Sequence, residues 1–100
     1  MATTTDHRKA AEGRIRELIT ALGALPAGST RDALLEECES LARAIAAFHM
    51  EGIRFRMYNV DRTLAKGTVA APPEAMTLFA EARRHLEAAG FQTRSHQAPG

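Results

Sequence analysis

From Asp32 to Lys66 the chain carries a nearly unbroken helical pattern, and at 1.5 Å per residue such a helix of roughly 35 residues is about 50 Å long. In a chain of 100 residues, a rod of that length has more apolar surface than two short partners can cover. The pattern therefore predicts a thin helical protein that completes its core by self-association or docking.

Within the rod, Leu34, Cys38, Leu41, Ile45, Phe48, Gly52 and Phe55 follow spacings of 4, 3, 4, 3, 4 and 3, the rhythm of a helix packed along a partner. A second seam of Ile53, Met57, Val60 and Leu64 takes over near Gly52, displaced around the helix. Two shorter helices flank the rod. The first is expected over 6–22, capped by Thr5, with Ile15, Leu18, Ile19 and Leu22 on its apolar face. The last is expected over 73–89, where Pro72, Pro73 and Glu74 suit a first turn and Gly90 suits the left-handed residue after the last. Met76, Phe79, Ala82 and Leu86 form its predicted stripe, with Phe91 folding back on Leu86. The short connector Ala24–Gly28 makes neighbouring helices antiparallel, and Ser29 followed by Asp32 resembles a capping box for a rod spanning 31–66. Residues 91–100 lack periodicity and read as a flexible tail.

The expected fold class is thus all-α, a single domain with a long central helix and two shorter antiparallel helices, completed as a bundle by homodimerisation. An alternative α+β reading places a short strand at 53–60, where Ile53, Phe55 and Met57 alternate with Arg54, Arg56 and Tyr58. Gly52 would then be a breaker. Composition favours the helical reading, because alanine supplies 20 of the 45 apolar residues and the aromatics number only five.

Charge narrows the function classes. Thirteen basic against 12 acidic residues leave a net charge of +1, too little to steer the whole molecule onto nucleic acid or an anionic membrane. No stretch approaches a membrane span or a secretory leader, and the lone Cys38 fits a reducing compartment. A cytoplasmic location is expected, and the richness in alanine and arginine points to a GC-rich bacterial genome.

Locally the rod is polarised. Asp32, Glu36, Glu37 and Glu39 lie in its first third, whereas Arg54, Arg56, Arg62 and Lys66 lie in its last, against Asp61. Arg54, Tyr58, Arg62 and Lys66 recur every four residues, a stripe able to track a phosphate backbone and extended by Arg83 and Arg84. Acids near a helix start and bases near its end are also what the macrodipole favours. In two antiparallel rods the same polarity would orient a dimer.

Chemistry-bearing motifs are sparse. His49, followed by Glu51 and Gly52, is the one candidate for phosphotransfer or metal-dependent chemistry, but the lysine that would steady a phosphoryl group is missing. Glu81 and His85 stand four apart and make half of a metal site or an ordinary helix contact, while His7 and His96 lie near the chain ends. Cys38 occupies a core-type position. No phosphate-binding glycine loop, nucleophile elbow or cysteine pair occurs, so no metal site, cofactor or catalytic set is predicted. The expected function is non-enzymatic: a helical interaction or regulatory module associating through Leu34, Leu41, Ile45, Phe48, Phe55, Met57 and Leu64. The partner is a second copy or another protein; a nucleic-acid regulator is the alternative.

Overall fold

Two backbone N–H groups at the start of the first helix would lack partners without side-chain help, and Thr3 and Asp6 supply it to each other. The Thr3 Oγ1 accepts from the Asp6 N–H at 3.0 Å while an Asp6 carboxylate oxygen accepts from the Thr3 N–H at 3.2 Å. This reciprocal cap starts α1 (Thr4–Gly23) two residues before the position expected from Thr5. The computed structural model describes residues 3–91 and 93, which form three further helices: α2 (Ser29–Ala46), α3 (Met50–Lys66) and α4 (Pro73–Ala88). The described residues contain no strand, so the alternative at 53–60 is corrected: that segment lies wholly inside α3.

The expected rod over 31–66 is also corrected. It is two helices, broken at residues 47–49, with α3 folded back along α2. The break has the hydrogen bonding of a Schellman ending. The His49 N–H donates to the Ala44 carbonyl at 3.0 Å, and the Phe48 N–H donates to the Ile45 carbonyl at 3.2 Å. Phe48 occupies the left-handed position at φ 59°, where glycine is usual. His49 then caps α3, its Nδ1 accepting from the Gly52 N–H at 2.9 Å.

A left-handed non-glycine residue costs about 1–2 kcal/mol. Burying a large aliphatic side chain returns about 1.5–3 kcal/mol, and the reversal delivers Ile53, Met57, Val60 and Leu64 into the core together. Burial wins by a wide margin. The seam shift near Gly52 therefore marks a turn, not a change of partner along one rod. Arg8 of α1 reinforces the turn, since its Nη1 donates to the Ile45 carbonyl at 3.2 Å and its guanidinium lies 4.5 Å from the Phe48 ring centre.

Cross-helix contacts define an antiparallel four-helix bundle. Four ion pairs close the ring: Arg16–Glu39 joins α1 to α2 at 3.3 Å, Arg56–Glu37 joins α2 to α3 at 2.7 Å, Arg83–Asp61 joins α4 to α3 at 3.3 Å, and Arg14–Glu81 joins α1 to α4 at 2.9 Å. Inside the ring lie Ala11, Ile15, Leu18 and Leu22 of α1, with Leu34, Cys38, Leu41 and Ile45 of α2. Ala75, Phe79, Ala82 and Leu86 of α4 complete that core with the α3 seam. Met76, expected in the stripe, is exposed, and Ala75 takes its place.

The other boundaries follow local chemistry. Gly28, not Ser29, is the N-cap of α2, and no side-chain cap bond forms there. Arg31 instead turns its Nη1 to the Gly23 and Leu25 carbonyls, at 3.1 and 3.3 Å, closing the end of α1. Gly67 ends α3 at φ 70°. After α4, Gly90 at φ 94° and the Phe91 N–H bond to the Leu86 carbonyl at 2.9 Å form the expected Schellman ending. Phe91 and Thr93 are buried, and the Thr93 hydroxyl donates to Glu87 at 3.0 Å. Both belong to the segment read as a tail; residue 92 and residues 94–100 lie outside the described residues.

Two helical glycines should respond oppositely to alanine. At Gly13 an added Cβ meets no atom within 4 Å, so Gly13→Ala should stabilise the fold by about 0.5–1 kcal/mol through helix propensity. At Gly52 the Cβ would stand 2.5 Å from the His49 Nδ1, so Gly52→Ala must displace the cap and lose about 0.5–2 kcal/mol, offsetting any propensity gain. Urea unfolding midpoints of the two variants should move in opposite directions.

Candidate functional site

The start of α1, the end of α2, the start of α3 and the end of α4 meet at one end of the bundle, where the least ordinary features cluster. Phe48 is held in its left-handed conformation by the two hydrogen bonds of the turn and by Arg8, yet 48% of the residue is exposed. Its ring centre lies 6.0 Å from that of Phe91, tilted by 41°. Met50, two residues later, is 58% exposed. Beside it Met50, Glu51, Arg54 and Gly90 line an open groove of about 210 Å³. The Arg54 Nη2 pairs with Glu51 at 2.6 Å, so the apolar pair is bordered by one base and one acid a turn apart.

A second cluster joins the first turn of α1 to the last turn of α4. The His7 and His85 Nδ1 atoms are 3.0 Å apart, with ring centres 5.3 Å apart and planes inclined by 37°. One ring must carry its proton on Nδ1 and donate to the lone pair of the other. His85 is held below its ordinary value of 6.5, chiefly by burial and then by the positive field of His7, Arg14 and Arg84, with Glu81 acting in the opposite sense. His7, read from sequence as a chain-end residue, is thus a partly buried contact between helices. The sequence alone offered Glu81 with His85; the partner actually at hydrogen-bond distance is 78 positions away.

The residues singled out in the sequence are dispersed. Leu34, Leu41, Ile45, Met57 and Leu64 are buried inside this one chain, because the turn at 47–49 covers the apolar side that the rod would have left bare. Phe48 and Phe55, from the same set, stay exposed: they continue the first seam past the point where the backbone leaves it. Along the basic stripe Arg54 pairs with Glu51, Arg62 lies 5.6 Å from the Tyr58 ring centre, and Lys66 is exposed in the last turn of α3. Arg56 and Arg83, which flank or extend it, are bound to Glu37 and Asp61.

His49 is exposed and its Nδ1 holds the N–H of Gly52, so the glycine that follows it gives close approach to a cap. Cys38 is buried. Desolvation, reinforced by Glu37 and Glu39, pushes its thiol up to about 12, which suppresses the thiolate needed for nucleophilic chemistry. Among the described residues no group of three or more His, Cys, Asp or Glu is placed to hold a metal ion. No helix there is long and apolar enough to cross a membrane. Comparison with protein-family models, curated proteins and solved structures finds no match for the chain.

The burial of His85 ties stability to pH. Its folded-state value lies below the unfolded one, so the unfolded chain binds more protons as pH falls below the ordinary value of 6.5. This contribution leaves stability intact above that pH and erodes it as pH drops towards the folded value. The melting temperature should therefore fall between about pH 7.5 and about pH 5.5, and His85→Gln should flatten part of that fall, as measured by circular-dichroism melts.

Proposed function

We propose that this chain is a small non-enzymatic interaction module that associates with a second copy of itself through the helix-junction end of the bundle. The observation carrying this reading is Phe48, which combines a left-handed backbone with a half-exposed ring. Strain held at an exposed aromatic gives the isolated fold less than a glycine with a buried neighbour would, and such outliers concentrate where a surface is used. Met50 enlarges the apolar patch. Glu51 and Arg54 border it as a pair with no net charge, so a second copy can meet it across a two-fold axis without like charges being opposed. Such self-complementarity favours a second copy over a partner of one charge sign.

Nucleic-acid binding through Arg54, Tyr58, Arg62 and Lys66 is less well supported, because Arg54 and its neighbours Arg56 and Arg83 already hold carboxylates. The patch is small, so association is expected in the micromolar range or weaker. Sedimentation equilibrium should show a mass that rises from one towards two chains with concentration. Met50→Glu should hold the protein at one chain with its helical circular-dichroism spectrum unchanged, since the side chain it replaces is exposed. A wild-type protein that stays single at millimolar concentration, or a Met50→Glu variant that pairs as well as wild type, would overturn the reading.

A further inference from the structure

We infer that His7 and His85 form a two-histidine clamp for a divalent transition-metal ion of borderline softness, such as Ni²⁺ or Zn²⁺, joining the first turn of α1 to the last turn of α4. The geometry carries it. Imidazole nitrogens bind such ions at about 2.0–2.1 Å, so two of them at adjacent positions of one ion lie about 2.9–3.4 Å apart. The two Nδ1 atoms are 3.0 Å apart, on rings fixed by helices that pack along each other. Both nitrogens bear the lone pairs the ion needs once each ring carries its proton on Nε2, a tautomer change that requires no net proton release.

The ion would sit at a partly exposed interface, where water can complete its coordination, as it must given that the described residues supply no cluster of three ligands. Nitrogen ligands select against Mg²⁺ and Ca²⁺, which take oxygen. Arg14 and Arg84 add positive charge nearby, partly countered by Glu81, which is itself bound to Arg14 at 2.9 Å. The site is consequently weaker than one with a carboxylate in its sphere.

Thermal melts of the whole chain with NiCl₂ or ZnCl₂ test this. A metal that binds only the folded form should raise the melting temperature by about 5 °C or more at about tenfold excess over its dissociation constant, whereas MgCl₂ should not. His7→Gln and His85→Gln should each abolish the rise while retaining the helical spectrum, and His49→Gln and His96→Gln should leave it in place. Absence of any rise, or a rise that survives either His7→Gln or His85→Gln, overturns the assignment.

Discussion

The reversal at residues 47–49 decides everything downstream of it. Without it, the seams of α2 and α3 would follow one another along a single axis instead of facing each other across a core. With it, the faces of Ile45 and Ile53 enter one core. The turn contains no glycine or proline at 47–49, so its backbone is not pre-set. It is held by tertiary contacts: the guanidinium of Arg8, the ring of Phe91 and the His49 ring over the first turn of α3. About 1–2 kcal/mol of local strain is tolerated because the opposing burial is several times larger.

That balance explains what could be read from the residues and what could not. The helical class, the ends of α4 and the core positions of Leu34, Leu41, Ile53 and Leu86 are local in origin, set by periodicity and by caps such as Gly90. The break at Phe48 is non-local, since half of what holds it comes from α1 and from beyond α4. Its one local trace was the shift of the seam near Gly52, which fits a drifting interface equally well until a third helix is in place. The His7–His85 contact was hidden for the same reason: no spacing rule reaches across 78 positions. Phe48, expected on one associating face with Leu34, Leu41 and Ile45, is exposed, whereas those companions are buried.

The ion pairs divide labour with the apolar core. Arg16–Glu39 is exposed and Arg14–Glu81 is partly buried, and exposed pairs contribute only about 0–1 kcal/mol each. Their value lies in neighbour choice. Each interface of the ring carries one base and one acid, so exchanging two helices would bring like charges together or strand them. An almost neutral chain thus spends much of its charge internally, and the polarity along residues 32–66 resolves into the Arg56–Glu37 bond between two helices folded against each other.

Arg8 gives the fold an unusual dependence on its own beginning. It belongs to the second turn of α1, yet it terminates a helix 37 positions later and stacks on the strained residue beyond. The opening segment is therefore part of the mechanical keystone at mid-chain. Trimming it, or fusing a bulky tag close to Thr3, would loosen the elbow between the second and third helices while leaving their own sequences untouched.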